Sequence, residues 1–127
     1  MSCRAKAEVV LFNCRPDDVA VVEEASAAGG PQPRVVDSAV EVAHRAVACR
    51  PAAVFIGIGR RSLKNLDVIP LIHTAHEGLP VIVIADEDSL DLERRARSRS
   101  IFYYFVRPLN PREVAAVLRN ALRRART

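Results

Sequence analysis

The sequence has no tryptophan, one methionine, four phenylalanines and two tyrosines in 127 residues, so any core must be built from aliphatic side chains. Long hydrophobic runs are missing too: none approaches the roughly 20 residues that span a bilayer. The first residues (MSCRAKAEVV) show no apolar stretch ahead of a cleavage site, and the expected compartment is therefore the cytoplasm. Three cysteines, Cys3, Cys14 and Cys49, are an odd number at wide spacings, which matches neither a disulfide framework nor a zinc ligand set. They are expected to be reduced thiols, Cys49 near a helix end and Cys14 at the mouth of a sheet. Only Cys14 suits a redox role, and no neighbouring residue is seen to lower its pKa. Repeats, low-complexity tracts and interdomain linkers are absent. No Ser/His/Asp set, Walker A loop or complete GxGxxG pattern occurs, so neither an enzyme nor a cofactor is expected.

Half of the residues are hydrophobic, and the length fits a single domain over 1–127 with helices on both faces of a sheet. Charge is unevenly placed. Between Arg94 and Thr127 there are ten arginines and one acid, Glu113, a surplus of +9 that leaves −5 on the rest of a chain whose net charge is +4. A basic surface of this kind can attract nucleic acid, anionic lipid or an acidic protein, or can simply be a solvated helix face.

Short continuous apolar runs recur at Val9–Phe12, Val35–Val36, Val54–Ile58, Val81–Ala85 and Tyr104–Val106, each followed by a polar turn. Unbroken apolarity marks strands covered on both faces, and helical spacing fills the intervals, giving β-α repeated about five times. The last helix is the clearest. Asn110 caps, Pro111 occupies the first position and Glu113 completes an Asn-x-x-Glu box, after which Val114, Val117, Leu118, Ala121 and Leu122 form one stripe. A first helix is expected to begin after Pro16 and to stop at the Gly29-Gly30 turn. The second starts at Asp37 or Ser38 and runs towards Cys49, with Val40, Ala43 and Val47 on one face. The third is short, with Pro70 in its first turn and Asp67 as cap. The fourth covers roughly Asp88–Ser98 and has few large apolar residues to anchor it. Right-handed crossovers then give a flavodoxin-like doubly wound sheet in the order 2-1-3-4-5, with sites at the carboxyl ends of the strands.

Residues past those ends carry a resemblance. LFNCRP, PAAVFIG, LPVIVIA and YFVRPLNPREV resemble, along nearly the whole chain, the receiver domains of response regulators (CheY-like). The resemblance implies five positions of a phosphorylation site. Asn13 and Cys14 stand where the family has paired acids, Gly57 where it has the phosphoacceptor aspartate, Ala85 where it has Thr or Ser, and Arg107 where it has lysine. It also makes Tyr104 the switch aromatic on the fifth strand.

Those departures remove the chemistry. An aspartyl phosphate needs a carboxylate nucleophile, and magnesium beside phosphate needs one or two carboxylates; Gly57 and Cys14 supply neither. Ala85 lacks the hydroxyl that would bond the phosphoryl group. Arg107 keeps its charge and either pairs with Asp86 or Glu87 or takes an anion from outside. Asp17 and Asp18 read as helix-start charges rather than metal ligands, and Asp67 lies too far past its strand to replace the acceptor. His73 and His76, at i and i+3, could form a metal pair only with Glu77. Gly57 to Ser62 (GIGRRS) could cradle an anion with backbone amides and the guanidiniums of Arg60 and Arg61.

The resemblance thus implies a degenerate receiver, a pseudo-receiver, acting through protein interaction in bacterial signal transduction or transcription control. Its candidate partner face comprises Arg94, Arg95, Arg97, Arg99, Arg112 and Arg119. A protein partner or output domain is expected, a homodimer is possible through that face, and no membrane contact is expected. LRNALRRART resembles the end of a receiver that leads into an output domain. Two alternatives stay open: a sensor of an anionic small molecule or nucleotide at the vestigial site, and direct nucleic-acid binding through Arg94 to Arg126.

Overall fold

A computed structural model describes residues 7–27 and 30–125. Five parallel strands, β1 (Glu8–Phe12), β2 (Gln32–Val36), β3 (Ala53–Ile58), β4 (Val81–Ala85) and β5 (Tyr103–Val106), form one sheet in the order β2-β1-β3-β4-β5. The helices are α1 (Pro16–Ser26), α2 (Ala39–Ala48), α3 (Val68–Ala75), α4 (Leu90–Arg97) and α5 (Pro111–Ala125). This is the doubly wound flavodoxin-like order expected from the apolar runs.

The period of two along each strand divides the core. Val10, Phe12, Val54, Ile56, Ile58, Val81 and Val83 point to the side of α2, α3 and α4, whereas Val9, Leu11, Phe55, Ile82, Ile84 and Phe105 pack with Val22, Val114, Leu118 and Ala121 of α1 and α5. Every residue of β3 and β4 is buried, which explains their unbroken apolarity. Each fully buried Ile or Val contributes about 1.5–3 kcal/mol, so Ile56→Ala at the sheet centre is a change the fold would feel strongly.

Helix boundaries follow local chemistry. Ser38 and Ser89 accept the backbone N–H of Glu41 and Leu92 at 3.1 and 3.2 Å and so start α2 and α4. Asn110 accepts from Arg112 and Glu113 at 2.9 and 3.2 Å. The expected reciprocal bond of Glu113 is replaced: its carboxylate accepts the Tyr103 hydroxyl at 3.1 Å instead. Only Leu92 and Ala96 of α4 are buried, in keeping with its weak anchoring.

Sequence readings are corrected on the face of α2, at the cap of α3, at Cys49 and at the end of α1. The Val40, Ala43 and Val47 face of α2 does not meet the core; Val42, Arg45 and Ala46 are buried, and Val40 and Val47 are 78% and 64% exposed. The turn after β3 is a 3₁₀ segment over Arg60–Asp67 that delivers Asn65 to the sheet. Asp67 precedes α3 but its side chain makes no cap bond, and Pro70 sits in the first turn. Cys49, the C-cap of α2, is disulfide-bonded rather than reduced, its partner lying outside the described residues. Cys3 and Gly29 also lie outside them, and α1 ends at Ser26.

Candidate functional site

At the carboxyl edge of the sheet the vestigial positions come together around Gly57. Asn13, at φ 58°, is in the left-handed region that asparagine tolerates better than most residues. That turn brings its backbone carbonyl to within 2.0 Å of where a Cβ on residue 57 would sit, and Arg107 Nη2 to within 2.9 Å of the same point. The Gly57 carbonyl accepts the side-chain amides of Asn13 at 2.9 Å and of Asn65, a buried residue, at 3.3 Å. The space from which an acceptor side chain would project is therefore filled by main chain.

Charge closes what remains. Arg107 Nε and Nη2 each donate to Asp18 Oδ2 at 2.9 Å, and Nη1 pairs with Asp86 Oδ1. Asp86 Oδ1 also meets Arg15 Nη2 at 2.7 Å, and the Arg15 backbone N–H donates to Asp18 at 2.9 Å. Asp18 is 3% exposed and the Arg107 side chain 10%. Two guanidiniums and two carboxylates thus balance. Burial of such a pair is tolerable because the fork of arginine satisfies the carboxylate lone pairs. The peptide before Pro108 is cis.

Sequence reasoning found Asp86 as a partner of Arg107 but gave Asp18 only a helix-start role. Asp18 does serve there, accepting the N–H of Arg15, and it is also the buried counter-ion of Arg107. Glu87, the other expected partner, binds Arg60 at 2.9 Å. Arg15 and Asn65 were missed. The position of Arg15 directly before Pro16 was the only hint for the first, and nothing in the sequence marked the second.

Cys14 sits below this network with a free thiol. Burial above all, with Asp18 adding to it, pushes the thiol pKa up to about 12, so Cys14 stays protonated at neutral pH. Ala85 is fully buried and its carbonyl accepts the Arg107 N–H at 2.9 Å.

The GIGRRS loop does not form a cradle. The Asp86 carboxylate stands 2.1 Å from a Cβ position on Gly59, so an anion over the loop would meet a negative charge. Two clefts of about 360 and 230 Å³ border the network, both lined by Arg15, Asp86 and Arg107. His73 Nε2 lies 3.2 Å from the Ser100 carbonyl, and burial lowers the pKa of His76. Among the described residues no group of three or more His, Cys, Asp or Glu could hold a metal ion. Among them, too, no helix is long and apolar enough to cross a membrane.

Tyr104 is turned inward, 7% exposed, packed in the core on the α4 side. Its hydroxyl makes no hydrogen bond, and burial, followed by Glu93 and Asp88, raises its pKa. The basic face is partly neutralised. Arg95 pairs with Asp91 at 3.2 Å, Arg97 with Glu93 at 2.7 Å and Arg99 with Asp67 at 3.6 Å. Arg94, Arg112 and Arg119 are exposed.

Known structures share this fold. A CheY-like response regulator receiver domain protein from Methanospirillum hungatei superposes with a TM-score of 0.72 at 13% identity, covering 96% of this chain and 98% of that one. The fold is that of CheY-like receiver domains. The pilus assembly protein CpaE of Caulobacter crescentus gives a TM-score of 0.69 at 21% identity over 89% of this chain and 91% of that one. NtrX from Brucella abortus, in complex with ADP, gives 0.78 at 19% identity over 95% of this chain but only 28% of its own. No protein-family model matches the chain, and comparison with curated proteins gives no match.

Proposed function

We propose that this chain is a pseudo-receiver: a receiver-like signalling domain that takes no phosphoryl group and works by binding a protein partner or output domain, in bacterial signal transduction or transcription control. It catalyses no reaction. The observation that carries this reading is the Asn13 carbonyl, 2.0 Å from the Cβ position of residue 57, where the receiver resemblance puts the acceptor. The Asp18, Arg107, Asp86 and Arg15 network supports it, because these four charges beside residue 57 are already matched to one another.

The same pairing disfavours an anionic ligand at the site, since Arg15 and Arg107 would first have to leave their carboxylates. Direct nucleic-acid binding is disfavoured by the ion pairs of Arg95, Arg97 and Arg99, which leave Arg94, Arg112 and Arg119 as the free charges of the candidate partner face. A few exposed arginines fit an acidic protein surface better than a polyphosphate backbone.

Incubation with a small-molecule phosphodonor and magnesium, followed by intact mass, tests the proposal. An unchanged mass is expected. A phosphoryl adduct would overturn it, and Asp18 and Asp86 would be the first acceptors to map.

A further inference from the structure

Helix α2 carries a second apolar stripe that its own core does not use. Val42, Arg45 and Ala46 face inward, while Val40, Ala43, His44 and Val47, at i, i+3, i+4 and i+7, share the outward side. Val40 and Val47 are 78% and 64% exposed, and Leu71 on the adjoining α3 is 57% exposed. Scattered exposed apolar residues are ordinary, but two valines seven residues apart form a ridge about 10 Å long on a single helix.

Charge at the ends of this ridge suggests what covers it. Asp37 lies just before α2 and Arg50 just after it, both exposed, and among the described residues neither is in an ion pair. Val40 and Val47 are symmetric about the point between Ala43 and His44, and so are Asp37 and Arg50. A two-fold axis through that point, with two copies of α2 antiparallel, sets Val40 against Val47 of the other copy. The same operation brings the end of α2 that carries Asp37 towards the end that carries Arg50 in the other copy. Self-complementarity of this kind is what an isologous interface requires.

We propose that a second copy of this chain docks here, forming a homodimer through α2 rather than through the arginine-bearing α4 and α5. The idea does not depend on the state of the Gly57 site. The ridge is well short of the roughly 800 Å² per partner of a standard stable interface, so the dimer is weak, with a dissociation constant on the order of 0.1 mM.

Sedimentation equilibrium of the full chain from roughly 10 μM to 1 mM should show an average mass rising from about 14.0 kDa towards twice that value. Val40→Glu should weaken association at least tenfold while leaving the thermal midpoint unchanged, because residue 40 is exposed. Asp37→Arg and Arg50→Asp should each weaken it several-fold by placing like charges opposite each other, and the double variant should regain wild-type association. The proposal is overturned by a monomer at every concentration, by a dimer that survives Val40→Glu, by single reversals without effect, or by loss of the dimer on Arg94→Glu instead.

Discussion

Replacing Gly57 by alanine is the smallest way to ask whether the acceptor position is closed. The new Cβ would lie 2.0 Å from the Asn13 carbonyl oxygen, and a real contact needs about 1 Å more, so the β1–α1 turn must retreat. Retreat would stretch the 2.9 Å bond from the Asn13 amide to the Gly57 carbonyl and disturb Arg107, whose Nη2 is 2.9 Å from the same Cβ. Overpacking costs about 1–3 kcal/mol and a weakened hydrogen bond about 1 kcal/mol more, while removing glycine from the unfolded chain returns about 0.4–1 kcal/mol. The net is a loss of roughly 1–3.5 kcal/mol, or about 4–15 °C in Tm for a chain of this length. Urea and thermal unfolding would measure it. Gly57→Asp should be destabilised at least as much and should not become phosphorylatable, since its carboxylate has no room to point at solvent. Gly57→Ala with unchanged unfolding would refute the closed-site argument.

Arg107→Ala strands the 3%-exposed Asp18 with only the Arg15 N–H, so about 3–5 kcal/mol of stability should go, with Arg107→Lys recovering part of it; denaturant midpoints within error of wild type would contradict the buried pair. Cys14, with its pKa near 12, should be thiolate in about one molecule in 10⁴ at pH 8, so iodoacetamide should label it far more slowly in the folded than in the unfolded chain. The same shift has a pH consequence. The folded pKa lies above the ordinary thiol value of 9.0, so the contribution is complete below pH 9 and declines by about 1.4 kcal/mol per pH unit from there towards 12. Cys14→Ala should therefore flatten the alkaline limb of the stability profile. Asn110→Ala removes the acceptor for two N–H groups at the start of α5 and should cost about 1 kcal/mol, readable as a shifted urea midpoint at constant slope.

Strand identity and order were legible because β3 and β4 are buried on both faces and so are apolar at every position. The stripe of α5 was equally plain, since its core face, Val114 to Ala121, recurs at helical spacing behind a cap. On α2 the same reasoning chose the wrong side. Two valines on the outward face outweighed a core face containing Arg45, which is buried because Glu8 binds its Nη1 at 2.9 and 3.1 Å. Periodicity cannot anticipate a buried arginine whose counter-ion is 37 residues away.

That Asn13, Gly57, Ala85 and Arg107 lie at one edge of the sheet was legible, because the fold collects strand ends there. How they interact was not. The pairing of Asp18 with Arg107 spans 89 residues, and the reach of Asn65 to Gly57 depends on a 3₁₀ segment with an interior kink at Ser62. Neither leaves a local pattern in the chain. The inward Tyr104 is a similar case: the resemblance assigned the position, while the orientation depends on the packing between β5 and α4.

A pseudo-receiver requires the Gly57 site to be shut to magnesium and phosphate. The direct measurement is a titration of the ¹⁵N-labelled chain with magnesium and then phosphodonor, following the amides of Asn13, Gly57, Asp86 and Arg107. Shifts no larger than those produced by sodium chloride of equal ionic strength are predicted. Saturable shifts at those four amides, with or without a covalent adduct, would contradict the central claim.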